Sequence, residues 1–244
     1  EVYTMTHVDV AATIAPENQI SQTLLNDIYR YRESLDIVEL RIDQWIDFNM
    51  EPFETTIDQL KQLNMNCKIL VTYRTSTQGG KGDIGETEYL ELLYKLIQHA
   101  QFDMLDIEWN VSIDVEVYGK LIQHAQENGL KVVLSHHNFQ ETPSLEELKF
   151  IYFKMQKLSP QYLKLAVMPH SKEDVLHLLE AMSVTSDSTP YQVIGISMSK
   201  LGVISRTAQG VFGGAVSYGC LGEPQAPGQI HVKELKQQLQ FYES

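Results

Sequence analysis

The chain has 244 residues, 43% of them hydrophobic, and its 32 acidic side chains against 19 basic ones leave a net charge of −13. No dense Lys/Arg run is present to neutralise phosphates, which excludes nucleic acid as an expected partner, and two cysteines, Cys67 and Cys220, are too few for a disulfide framework. No apolar stretch approaches the roughly 20 residues of a membrane span, and the N-terminus lacks a charged-then-apolar signal pattern; a cytoplasmic protein with no membrane partner is expected.

In chain order, short apolar runs predict eight strands: Val8–Ile14, Ile37–Arg41, Lys68–Tyr73, Met104–Ile107, Lys131–Ser135, Tyr162–Val167, Gln192–Ile196 and Ala215–Tyr218. Amphipathic stretches between them predict helices. Leu145, Leu148, Ile151, Tyr152 and Met155 recur at helical spacing, as do Val175, Leu178, Leu179 and Met182, and Val232, Leu235 and Leu239. Ser144 with Glu147 has capping-box spacing, and Ser171 with Asp174 offers a looser version. Asn128 and Gly129 stand where a left-handed helix cap belongs. Both cysteines sit in apolar surroundings and are expected as buried free thiols. Glu1–Thr4 are expected to precede a natural start at Met5.

Eight strand–helix alternations in one chain of this length predict a closed (β/α)8 barrel, spanning 1–244 as a single domain. A doubly wound open sheet is the alternative. It would usually show a glycine-rich phosphate turn after an early strand, whereas the first strand here runs into Ala15, Pro16, Glu17 and Asn18.

Barrel enzymes carry their active sites at the C-terminal strand ends, and reactive residues gather there. Period-two alternation puts Glu39, Arg41 and Asp43 on one face of the second strand. Inward charges are costly unless paired, so a buried ion-pair network competes with a functional reading. The third strand ends at Arg74 ahead of the glycine-rich loop Gln78–Gly82, and the fourth carries Asp106 and Glu108 on one face. The fifth ends in His136 and His137, which as neighbours on a strand point to opposite faces and do not suit joint metal chelation; no metal is expected. Arg206, expected to open a helix, suits an anion receptor beside a helix N-terminus. The loop Glu223–Gln229, with two prolines and a glycine, has the make-up of either a lid or an ordinary connection.

Lys164 stands inside the apolar run Tyr162–Met168. Burial drives a lysine towards its neutral amine, and a neutral amine attacks carbonyls to form imines. The competing reading is a lysine that snorkels to the rim or pairs with Glu39 or Glu108. Taken together, the strand ends suit a polyhydroxylated carboxylate bearing a ketone.

The runs Glu39–Asp43, Val71–Arg74, Ser135–Phe139, Lys164–Pro169, Ser197–Lys200 through Arg206, and Ala226–Gln229 resemble type I 3-dehydroquinate dehydratases, in the family's order, from about Val8 to Leu239, with the Gram-positive branch nearest. The resemblance implies a cofactor-free homodimeric barrel. It also implies the third step of the shikimate pathway, loss of water from 3-dehydroquinate by syn elimination. On it, Lys164 forms a Schiff base with the C3 ketone, and His137, not His136, is the general acid/base. Arg206 and Gln229 hold the carboxylate. Glu39, Arg41 and Arg74 surround the ring hydroxyls, and Met198 and Tyr218 are apolar walls. Two positions depart from the family pattern. Gln78 stands where a glutamate usually neighbours the histidine; its amide can orient an imidazole by hydrogen bonding but cannot raise its basicity, so either Glu108 or Asp106 takes the carboxylate's supporting role or this branch does without it. Gln225 replaces a serine expected to touch the carboxylate. A Schiff-base aldolase of a sugar phosphate, with Ser197, Gly213 and Gly214 in a phosphate nest, and a silent carboxylate-binding barrel are the rival readings.

Overall fold

The computed structural model describes residues 5–243; Glu1–Thr4, ahead of the expected start, lie outside them. Eight parallel strands alternate with helices in a nearly closed (β/α)8 barrel. The strands are β1 (Asp9–Ile14), β2 (Ile37–Arg41), β3 (Lys68–Thr72), β4 (Met104–Glu108), β5 (Lys131–Asn138), β6 (Tyr162–Val167), β7 (Gln192–Ser197) and β8 (Val216–Gly219). The helices are α1 (Gln22–Arg30), α2 (Met50–Gln62), α3 (Glu86–Gln98), α4 (Val115–Glu127), α5 (Leu145–Gln156), α6 (Lys172–Ser188), α7 (Ile204–Thr207) and α8 (Val232–Glu243). The strand order is β7-β6-β5-β4-β3-β2-β1-β8. The main departure from the expected bounds is β5, which continues past Ser135 through both histidines, because His136, His137 and Asn138 pair with Leu165, Ala166 and Val167 of β6.

The expected caps form. Ser144 and Glu147 close a capping box on α5, the Ser171 side chain accepts the Asp174 N–H at the start of α6, and Gly129 adopts φ +82°. Of the thiols, Cys220 is buried, whereas Cys67 is only half-buried and departs from the expectation.

Alternation along the strands builds two cores. Residues facing outward, such as Val38, Leu40, Val71, Ile107 and Leu165, pack beneath the helices with Ile28, Phe53, Leu93, Leu121 and Tyr152. Residues facing inward form a floor from Ile37, Leu70, Met104, Val133 and Ile194. Two residues further along the same strands the inward set turns polar, with Glu39, Thr72, Asp106 and Ser135, all buried. The apolar floor seals the bottom of the barrel, so this polar layer is open only towards the C-terminal mouth.

The strand ladder is interrupted between β7 and β8, where one isolated bridge, Val193 to Gly214, joins them. Side chains of the segment 205–209 fill the seam. The Gln209 amide accepts from the Gly195 N–H and donates to the Gly195 carbonyl, taking the place of a neighbouring strand. Ser205 Oγ accepts from the Ser197 N–H, and Ser217 Oγ donates to the Arg206 carbonyl. Gly214 is required here, since a Cβ would lie 2.0 Å from Gln209 Oε1.

Candidate active site

Each residue expected to touch substrate lines one cavity at the barrel mouth: Glu39, Arg41, Arg74, His137, Lys164, Met198, Arg206, Tyr218, Gln225 and Gln229. They come from seven different strands or strand-end loops, brought together by the inward half of each strand's alternation. Asp106 and Glu108 lie behind this wall, and Gln78 lies behind His137.

Lys164 is 4% exposed. Its Nζ sits 3.8 Å from the Tyr218 ring centroid and makes no ion pair among the described residues. Neither the rim nor a carboxylate claims it. Burial lowers its pKa to about 8; the Glu39 charge opposes the fall, and the Arg74 charge adds to it more weakly. The tyrosine is thus more than an apolar wall, because its π-face supports the ammonium when that form is present.

The three arginines separate into two kinds. Arg41 is held by Asp43 through Nε–Oδ1 at 2.7 Å and Nη2–Oδ2 at 2.8 Å. Arg74 donates to Glu108 and Ser135 through Nη1 and to Asp106 through Nη2. Burial disfavours the Arg74 cation, yet Asp106 and Glu108 outweigh this and hold it firmly protonated. The ion-pair network set against a functional reading of the second strand is therefore real, and it leaves Arg41 and Arg74 on the cavity wall already neutralised.

Arg206 differs. It is 1% exposed and has no carboxylate partner among the described residues; Nη1 and Nη2 donate to the Tyr218 and Pro227 carbonyls, and Nε has no partner. Burial pulls its pKa down to about 10. The expectation that Arg206 opens a helix is corrected. It is the third residue of the four-residue α7, packed inward, so its anion-receptor character comes from an unmatched buried charge rather than from a helix N-terminus.

His137 and His136 point to opposite sides of β5, as alternation requires. His137 lines the cavity with Phe139 stacked on its ring, centroids 6.3 Å apart. Gly79, at φ +84°, makes room for that phenyl ring, which would lie 2.2 Å from a Cβ. His136 turns away, with Nδ1 3.0 Å from the Trp109 carbonyl. Enclosure, then the positive charges of Arg74 and Lys164, push the His137 pKa well below 6.5. Of the three proposed supports, Gln78 reaches the imidazole, with Oε1 3.1 Å from His137 Nδ1. Asp106 and Glu108 are instead committed to Arg74, Ser135 and Thr75.

Thr13 and Thr72 escaped the sequence reading. Their hydroxyls donate to the two Glu39 oxygens at 2.9 Å each, and Gln229 Nε2 donates to Thr13 Oγ1, tying the last loop to the first strand. A threonine among apolar residues at an inward strand position is the signal that marks them. The loop 223–229 lies against the cavity, with the Pro227 carbonyl accepting from both Ser199 N–H and Arg206. Gln225 lines the cavity, while its amide nitrogen donates to the Glu223 carbonyl. The nest expected of a sugar-phosphate aldolase is not open: the N–H groups of Ser197, Gly213 and Gly214 are donated to Ser205 Oγ and to the carbonyls of Gly210 and Gln209. Among the described residues, no three His, Cys, Asp or Glu side chains are grouped as a metal site would need.

A parallel (β/α)8 barrel whose C-terminal mouth holds a desolvated lysine, an imidazole and an unmatched arginine has the build of an α/β-barrel enzyme that handles an anionic carbonyl compound. Comparison narrows this. A family model described as type I 3-dehydroquinase matches residues 18–244. The 3-dehydroquinate dehydratase of Staphylococcus epidermidis is 64% identical over 239 residues, covering 98% of this chain and 100% of the relative. That of Staphylococcus saprophyticus is 54% identical with the same coverage. The crystal structure of 3-dehydroquinate dehydratase from Geobacillus kaustophilus superposes with a TM-score of 0.87 at 27% identity, covering 98% of this chain and 92% of that one. The type I enzyme from Clostridium difficile, described with covalently modified comenic acid, also gives 0.87, at 29% identity over 97% and 92% of the two chains. The chain belongs to the type I 3-dehydroquinase family.

Proposed function

We propose that this chain removes water from 3-dehydroquinate to give 3-dehydroshikimate, the third step of the shikimate pathway, through a covalent imine at Lys164. The observation that carries the reading is the buried Lys164, without a carboxylate partner among the described residues and with its pKa lowered to about 8, on the same cavity as His137. A neutral Nζ attacks the C3 ketone, and loss of water from the carbinolamine leaves an iminium. The iminium is a far better electron sink than the ketone. His137 takes the C2 proton, and its electron pair moves into an enamine. The enamine then expels the C1 hydroxyl, which receives the proton from His137. Hydrolysis frees the product and restores Lys164.

Arg206 supports recognition of the substrate carboxylate, because a buried guanidinium without an anion partner gains most from binding one. Gln229 and Gln225 border the same end of the cavity. Glu39, with its two threonine donors, and the neutralised Arg41 and Arg74 supply hydrogen bonds for ring hydroxyls. Family resemblance further suggests a cytoplasmic homodimer working without cofactor or metal.

Borohydride reduction with 3-dehydroquinate, followed by peptide mass mapping, tests the reading. A ligand-derived adduct on Lys164 is expected. In His137→Gln the adduct is expected to persist while turnover falls about 100-fold or more. An unmodified Lys164 in folded protein that binds the ligand would remove covalent catalysis.

A further inference from the structure

Glu39 is the one carboxylate among the described residues that line the cavity, and Lys164 borders the same space without pairing to it. Both Glu39 oxygens are instead occupied from the side. Thr13 Oγ1 on β1 donates to Oε1 and Thr72 Oγ1 on β3 donates to Oε2, each at 2.9 Å. The neighbours of Thr13 fix the direction of its bond. Gln229 Oε1 accepts from the Gln225 backbone N–H, so the far end of that amide is a donor, and Nε2 gives a hydrogen to Thr13 Oγ1. A hydroxyl has one hydrogen of its own, and Thr13, already an acceptor from Gln229, spends it on Glu39.

We infer that Thr13 and Thr72 are positioning residues that pin the Glu39 carboxylate against the β1–β3 wall and keep it from closing onto Lys164, which stays free as a nucleophile. The inference rests on the imine proposed at Lys164. Threonine suits the task, because branching at Cβ restricts χ1 and holds the hydroxyl where the strand puts it. A hydrogen bond to a charged acceptor is roughly twice as strong as a neutral one, and two of them oppose the pull of an ammonium across the cavity. Glu39 thus stays near enough for its charge to be felt at Lys164, yet makes no contact that would quench the amine.

The other groups around Lys164 leave this control to Glu39 and its two donors. Asp106 on β4 also favours the ammonium, but it is taken up by Arg74 and Ser135, and Glu108 on the same strand by Arg74 and Thr75. Arg74 on β3 and Arg206 on α7 are cations that oppose the ammonium, and Arg41 on β2 is held by Asp43. His137 on β5 is driven towards its neutral form and the Tyr218 phenol on β8 stays protonated, so neither supplies negative charge. Released by its threonines, Glu39 would be the one anion able to swing to Nζ. An ion pair there would hold the amine protonated and raise the pH at which the free amine appears.

The test is ¹³C NMR of protein labelled at lysine Cε, without substrate, with the Lys164 signal assigned from its loss in Lys164→Met and followed against pH, alongside kcat/KM against pH. Thr72→Val, close to threonine in shape, removes one donor and leaves the contact between Gln229 and Thr13 intact. In it the Lys164 titration and the acidic limb of kcat/KM are both expected to move upward by about one pH unit or more, with kcat/KM at pH 7 about tenfold lower. Thr13→Val is expected to shift the same way, and Thr72→Ser to titrate close to wild type. In a Glu39→Gln background Thr72→Val is expected to move the midpoint no further, since no carboxylate remains to be released. A Thr72→Val protein whose Lys164 titrates as in wild type or lower, or a shift that persists with Glu39→Gln, would overturn the inference. Should Thr72→Val not fold, Thr13→Val with and without Glu39→Gln decides it. Borohydride trapping keeps the two readings apart: absence of a Lys164 adduct in wild type removes the imine, while the NMR titration, run without substrate, still judges Thr13 and Thr72.

Discussion

Replacing Lys164 by Met should destroy activity and stabilise the protein. Wild type holds an ammonium in a site that lowers its pKa from 10.5 to about 8. At 1.36 kcal/mol per tenfold change, the folded state carries a penalty of about 3 kcal/mol whenever Lys164 is protonated. Met fills a similar volume with an apolar stem and forfeits the ring contact with Tyr218, about 1 kcal/mol. Glu39 keeps both threonine donors. The net expectation is a gain of about 2 kcal/mol at pH 7. Its pH dependence follows from the lowered folded value. Below pH 8 both folded and unfolded lysine are charged, and the penalty in wild type is complete. Between about 8 and 10.5 the folded lysine is neutral while the unfolded one still binds a proton, so the penalty drains away. Above 10.5 the two proteins should be equally stable. Urea unfolding of both at pH 7 and pH 10, compared as a difference so that other titrating groups cancel, measures this. A variant no more stable than wild type at pH 7, or a gap that does not shrink with pH, would show that Lys164 is not desolvated as described.

Because attack on the ketone needs the neutral amine, kcat/KM should rise about tenfold per pH unit up to about pH 8. Glu39→Gln removes the charge that holds Lys164 up, so the midpoint of that rise should move to lower pH, by about one unit. Arg206→Gln should raise KM about 10- to 100-fold, the worth of a charge-assisted hydrogen bond, with little effect on kcat. Chemical unfolding should show only a small change in stability in this variant, because the lost hydrogen bonds to the Tyr218 and Pro227 carbonyls are offset by removal of a buried charge that has no carboxylate partner among the described residues. Gly214→Ala should push Gln209 out of the seam and leave both Gly195 backbone groups unsatisfied. A loss of about 2–4 kcal/mol is expected, seen by calorimetry as a Tm lower by roughly 5–15 °C.

Short-range periodicity determines much of this protein. Alternation along Ile37, Glu39 and Arg41, or Val133, Ser135 and His137, needs only neighbouring residues, and it already separates a floor from a polar layer and a mouth. The same rule marks Lys164 as buried and sends His136 and His137 to opposite sides. What needed the tertiary structure is which charges cancel. Arg41, Arg74 and Arg206 look alike as residues, yet Arg41 pairs with Asp43 two positions along its own segment, Arg74 pairs with carboxylates of the neighbouring β4, and Arg206 faces only carbonyls. Gln78 meets His137 across 59 positions of chain, through a loop whose path no local pattern prescribes. The Gln209 seam likewise exists only because β7 and β8 fail to complete their ladder. Pattern is a property of one strand, whereas pairing depends on the stagger between strands and on where loops return, and both are set by closure of the barrel.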